Sequence, residues 1–219
     1  VNADLWAADF ESARLEGADL RGARLGYIDS ETTDLKAADL RGASIASGTK
    51  ISSRNAILPD GSMIGLALLG GESLLVRADV RPELIAAESM AHTSMNIRIL
   101  EHAAIDRGAR LALELSELDW NSTISFSDDI PVRLDGTLEL RFDPLVNPQN
   151  QIGRRFQLFD WSNVSPMGEL TLDSKFTWDT SHLYTTGYVT LLAVPEPSLT
   201  PLLQLIAASC LVLHARKRR

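Results

Sequence analysis

Large apolar residues recur at five-residue intervals over the start of the chain: Leu5, Phe10, Leu15, Leu20, Leu25, Leu35, Leu40 and Ile45. Two places before them runs a row of small ones, Ala3, Ala8, Ala13, Ala18, Ala23, Ala38 and Ala43. Between the rows, Asp4, Asp9, Asp19, Asp34 and Asp39 alternate with Arg14, Arg24 and Ser44. A period of five fits neither the helical 3.6 nor the strand period of 2. It predicts a coil that turns a corner at every repeat, with one large and one small side chain on the axis and polar groups outside. The pattern breaks at Tyr27-Ile28-Asp29-Ser30, and Thr33 takes the place of the small residue in the next unit.

Beyond it, residues 46–61 form a Ser/Gly/Asn-rich connector ending in the turn Leu58-Pro59-Asp60-Gly61. Apolar stretches at 63–69 and 73–76 flank Gly70-Gly71-Glu72, which reads as a hairpin or a tight corner. A short helix is expected from Pro82, a favoured first helical residue, to about residue 91. Alternation then becomes explicit in Met95/Ile97/Ile99, Leu111/Leu113/Leu115, Ile124/Phe126, Leu138/Leu140/Phe142 and Leu170/Leu172. Turn residues Asp106-Arg107-Gly108, Asp135-Gly136 and Asn147-Pro148 punctuate them. Many short strands at such spacing predict an antiparallel sandwich or an irregular β-solenoid with one wet face. Residues 183–193 are expected to form the last strand.

The chain closes in three parts: the stiff Pro195-Glu196-Pro197, an apolar run over 199–213, and the cations Arg216, Lys217, Arg218 and Arg219. As a helix the run covers roughly 22–25 Å, slightly short of the ~30 Å hydrocarbon core, and terminal arginines can snorkel to the headgroups. The cation block places the C-terminus in the cytoplasm and the body outside. A plain single-span anchor and a buried C-terminal helix remain alternative readings.

Two families share these patterns. Ala18-Asp19-Leu20-Arg21-Gly22 and Ala38-Asp39-Leu40-Arg41-Gly42 match the repeating unit of the pentapeptide-repeat family, and the first 48 residues resemble it. The resemblance implies a right-handed square β-helix with about four repeats per coil. At ~4.8 Å per coil, this predicts two or so coils and a height of roughly 10 Å. Some members of that family mimic DNA with a long acidic surface. Here six Asp and three Glu face six Lys and Arg through Lys50, so a short capping solenoid is the expectation. The tail resembles the PEP-CTERM sorting signal of bacterial exported proteins, which a membrane protease-transpeptidase, an exosortase, cuts near Pro-Glu-Pro. Residues 136–142, 155–161 and 178–187 resemble the β-rich regions that precede such tails.

Composition narrows the partners. Net charge is −8 over 219 residues, which disfavours a basic face for nucleic acid. The only cysteine, Cys210, lies inside the apolar tail, so the body has no disulfide. The chain starts at Val1 without a basic-then-apolar leader, and export through the tail implies one lost by processing or truncation.

Candidate chemistry is sparse. The histidines His92, His102, His182 and His214 have no metal-ligand spacing, and no nucleophile, phosphate-loop or dinucleotide motif is present. Trp178, His182 and Tyr184 are candidates for a carbohydrate-facing patch, against the plainer expectation that the aromatics pack a strand edge. Asp128-Asp129, Asp160 and Asp179 could supply paired carboxylates for glycoside chemistry, against simple turn capping. The sequence thus leads to an all-β expectation: a pentapeptide-repeat β-helix (1–48), a β-sandwich or irregular solenoid (49–193), and a sorting signal with a transmembrane helix (194–219). The function expected is an exported cell-envelope or matrix protein without cofactor, metal or catalytic residues. It is anchored at the inner membrane before processing and associated with exopolysaccharide. The alternative is a secreted polysaccharide lyase or hydrolase.

Overall fold

The computed structural model describes residues 1–28, 33–47, 49, 51, 53–78, 96–116, 120 and 122–196. Strands β1 (Asp4–Leu5), β2 (Arg24–Leu25) and β3 (Ser44–Ile45) stack in parallel, pairing Leu5 with Leu25 and Leu25 with Ile45. That register is twenty residues, or four five-residue units per coil. Six of the corners share one cause. The carbonyl of the large residue accepts a hydrogen bond from the alanine three residues on, as from Ala8 to Leu5, Ala18 to Leu15, Ala23 to Leu20 and Ala43 to Leu40.

Phe10, Leu20, Leu25, Leu35 and Leu40 fill the axis with Ala23 and Ala38, while Leu5, Leu15 and Ile45 pack half-buried against them. Thr33 is buried too, its hydroxyl donating to the Phe10 carbonyl at 2.7 Å. The stack holds three coils rather than the expected two, because the connector continues the winding. Ile57 bridges to Asp39 in parallel, and the Leu40 N–H donates to the Ile57 carbonyl.

From Ser62 the coil changes to three strands per turn. The first turn holds β4 (Ser62–Met63), β5 (Leu66–Leu68) and β6 (Ser73–Arg77). The second holds β7 (Ile97–Ile99), β8 (Ala103–Ile105) and β9 (Arg110–Leu115), the third β10 (Ile124–Phe126), β11 (Val132–Leu134) and β12 (Thr137–Phe142). A 3-10 turn (Pro148–Gln151) and β13 (Arg155–Gln157) precede the last turn, β14 (Phe159–Asp160), β15 (Met167–Gly168) and β16 (Thr171–Asp173). The chain then runs through β17 (Thr177–Asp179) and β18 (Tyr188–Ala193).

These strands form three parallel four-stranded sheets, ordered β14-β10-β7-β4, β15-β11-β8-β5 and β16-β12-β9-β6. The antiparallel sandwich is therefore excluded for this body; the solenoid alternative holds. Among the described residues, antiparallel pairing is confined to β13-β18-β17. Gly70-Gly71-Glu72 forms a corner between β5 and β6, which lie in different sheets, and not a hairpin. The last strand begins at Tyr188; residues 181–186 form a turn.

In-register stacking explains the core. Leu74, Leu111 and Leu138 lie in successive turns, as do Val76, Leu113 and Leu140, and all six are buried. Toward the end, aromatics take over: Phe126 and Phe159 stack on Trp161, and Phe142 meets Phe156, Phe176 and Trp178. No helix among the described residues is long and apolar enough to cross a membrane. The helix expected from Pro82, residues His92 and His214, Pro197, and the run to Arg219 lie outside the described residues.

Candidate functional site

The most organised polar cluster sits where the five-residue coils meet the three-sided ones. It grows from the two identical Ala-Asp-Leu-Arg-Gly units. In each, aspartate and arginine stand two places apart and point the same way. Arg41 donates from Nε to Asp39 Oδ1 at 2.9 Å and from Nη2 to Oδ2 at 2.6 Å. Its guanidinium is fully buried, and Asp39 is 3 % exposed. Nη2 also reaches the Arg77 carbonyl at 2.8 Å, and Nη1 the Ser122 Oγ at 2.6 Å. The Ser122 hydroxyl donates to the same carbonyl at 3.0 Å.

One coil earlier, Arg21 grips Asp19 with two bonds of 2.8 Å and donates to the Ala78 carbonyl. Two arginines thus take the carbonyls of consecutive residues at the end of β6. Burial pushes the Asp19 carboxyl up, but hydrogen bonds and charge from Arg21, with Arg77 behind, outweigh it and hold the acid below its ordinary value. The sequence signal was the repeated unit itself; its role as a junction was not legible, since Arg77 and Ser122 are far away in the chain.

Beside this cluster lies a cleft of about 220 Å³ lined by Glu16, Lys36, Asn55, Glu72 and Ser73 among others. Lys36 Nζ bridges Glu72 at 2.9 Å and Glu16 at 3.2 Å, and Arg54 also pairs with Glu72. The Leu69 N–H, then Lys36, hold the Glu72 carboxyl low, while Glu72 and Glu16 raise Lys36. An acid pushed down and an amine pushed up both stay charged at neutrality, which suits an electrostatic clasp and not proton transfer. Asn55 completes the seam, donating to the Ala67 carbonyl at 2.9 Å and accepting from the Ala67 N–H at 2.7 Å.

The aromatic patch is placed differently from its sequence reading. Trp178 is 8 % exposed, stacked on Phe142, with Nε1 donating to Ser174 Oγ at 2.9 Å. A buried indole offers no face to a sugar. Tyr184 is half-buried, and its hydroxyl accepts from the Leu170 N–H at 2.6 Å; burial raises that phenol. His182 is exposed, and its carbonyl accepts from the turn amides of Thr186 and Gly187. The three therefore do not form one platform.

The candidate carboxylates cap turns. Asp160 accepts from the Ser162 N–H and hydroxyl at 3.1 and 2.7 Å, and Asp179 from the Ser181 N–H at 2.9 Å. The Ser181 amide and then its hydroxyl lower Asp179. Asp160 lies on β14 and Asp179 on β17, in separate sheets, and Asp128 and Asp129 are exposed in a turn. Among the described residues, no three His, Cys, Asp or Glu side chains converge to hold a metal ion. Of the residues expected to form a sorting element, Pro195 and Glu196 are exposed shortly after β18.

A parallel β-solenoid with a square N-terminal section is the class these observations define. The family model for pentapeptide repeats matches residues 1–26 and 13–46, with 8 copies. No curated protein and no solved structure matches the chain.

Proposed function

We propose that this chain is a non-enzymatic structural protein of the bacterial cell envelope or extracellular matrix, exported by a PEP-CTERM tail and associated with exopolysaccharide. The supporting observation is the position of the tail. Strand β18 ends at Ala193, and Val194-Pro195-Glu196-Pro197 follows at once. A cut near that element leaves every described strand intact. The apolar run over 199–213 then serves as the inner-membrane span, and Arg216, Lys217, Arg218 and Arg219 as its cytoplasmic stop. An exosortase is the partner this tail calls for. The polar clusters of the body fit a static role, since their charges are matched by neighbours.

The test is expression of the full chain behind a cleavable leader in bacteria with and without an exosortase. The expected result is surface protein shortened by the tail in the first strain and full-length inner-membrane protein in the second. Replacing both prolines, Pro195→Ala with Pro197→Ala, should block shortening. Full-length protein soluble in the cytoplasm of both strains overturns the reading.

A further inference from the structure

The side chains of thirteen Trp, Tyr and Phe residues are unevenly distributed over the molecule. Every Phe is buried, as are Trp120, Trp161 and Trp178, and Tyr184 and Tyr188 are half-buried. Trp6 is 46 % exposed and Tyr27 66 %. The twenty-residue register of the first coils puts these two on one corner. Leu5 pairs with Leu25 and Leu25 with Ile45, so Trp6-Ala7, Gly26-Tyr27 and Ala46-Ser47 follow one another down that corner. Trp6 and Tyr27 stand diagonally across it, and every other position is small.

Gly26 makes the spacing feasible, because a Cβ there would lie 2.3 Å from the Trp6 carbonyl oxygen. The indole is also held. The Arg24 guanidinium lies over it, 4.7 Å from the ring centroid, and Asp4 Oδ2 anchors Arg24 Nη1 at 3.5 Å. Asp4 Oδ1 in addition accepts from the backbone N–H of Trp6 at 3.2 Å.

From this corner we infer a carbohydrate-binding platform: the Trp6 face turned away from Arg24 and the Tyr27 ring stack on the C–H faces of neutral pyranose units, and Asp4 and Arg24 hydrogen-bond their hydroxyls. Exposed aromatics beside a fixed charge pair provide an apolar face with convergent polar groups. A neutral sugar fits because Arg24 is already paired with Asp4 and so offers a polyanion no uncompensated charge. A protein partner fits less well. Stable protein interfaces cover about 800 Å² per side around an apolar centre, whereas the other positions of this corner, Ala7, Gly26, Ala46 and Ser47, are small and add little apolar area. The inference deepens the exopolysaccharide reading proposed above by giving it a site, and it replaces the patch at Trp178.

Affinity electrophoresis of the full chain in mild detergent tests it, with gels carrying dextran, hydroxyethylcellulose, xylan, galactomannan or alginate. The expected result is retardation by at least one neutral polymer, weakened about tenfold by Trp6→Ala or by Tyr27→Ala, and kept by Trp6→Phe. Tyr27→Ala serves if Trp6→Ala fails to fold, because the Tyr27 ring is mostly in solvent. Retardation by alginate alone, by none of the polymers, or equally for wild type and both alanine variants overturns the platform. So does sedimentation showing that the two residues instead join copies of the chain. None of these outcomes depends on whether the tail is cut, so failure here and failure of the sorting reading are separable.

Discussion

Arg41 Nη1 and Ser122 Oγ, 81 residues apart in sequence, meet at 2.6 Å in the interior. This bond, with the shared Arg77 carbonyl, joins the five-residue coils to the three-sided body. A buried guanidinium carries a large desolvation cost, which Asp39 and the two oxygen acceptors offset. Breaking one partner leaves the other charge stranded.

Arg41→Met should therefore destabilise the protein by about 3–5 kcal/mol, and Ser122→Ala by about 1–3 kcal/mol. The double variant should cost less than the sum, since both changes remove the same bond. Denaturant unfolding of the full chain measures all three. Additive losses would show that the junction is not one network.

Acid should loosen the same seam. Glu72 and Asp19 both have folded-state values below the ordinary carboxylate range. Their contribution is fully present above the unfolded-state value, about pH 4, and is lost as pH falls through the lower folded-state values. Unfolding midpoints should agree at pH 7 and pH 5.5 and drop below about pH 4. Glu72→Gln should lower the neutral midpoint and flatten the acid slope.

Trp178 should behave as a core residue. Trp178→Ala is expected to cost about 3–5 kcal/mol through the cavity left against Phe142 and Phe156. His182→Ala, at an exposed turn, should stay within about 0.5 kcal/mol. Thermal unfolding distinguishes the two, and glycan retardation should survive both.

Gly187 sits at φ 76°, and a Cβ there would fall 1.8 Å from the Phe159 carbonyl oxygen. That contact brings the turn before β18 onto the start of β14. Gly187→Ala should cost at least about 2 kcal/mol, from left-handed strain and from forcing the strands apart. Equilibrium unfolding is the measure; a neutral effect would mean the turn relocates freely.

Much of this was readable along the chain because it repeats at short range. The large residue, the alanine three places later and the corner hydrogen bond between them are contained in one unit, so Leu20 and Leu40 announced their own burial. Alternation likewise marked Leu111/Leu113 and Leu138/Leu140 as inward. Neither pattern carries the direction of pairing. An inward-facing strand looks the same whether its neighbour runs parallel or antiparallel; it is the parallel placement of Leu111 between Leu74 and Leu138 that makes this body a solenoid and not a sandwich.

The candidate sites divide the same way. Sequence by itself determined the rows that line the axis and the three-part order of the tail. Only the tertiary structure decided that Trp178 is sealed in the core while Trp6 and Tyr27 share a corner, and that Arg41 belongs to Ser122. Periodicity is a local property, fixed by which side chains a short segment must hide from water. The exposure of a particular ring, or the partner of a particular charge, depends on coils that the chain supplies many residues later.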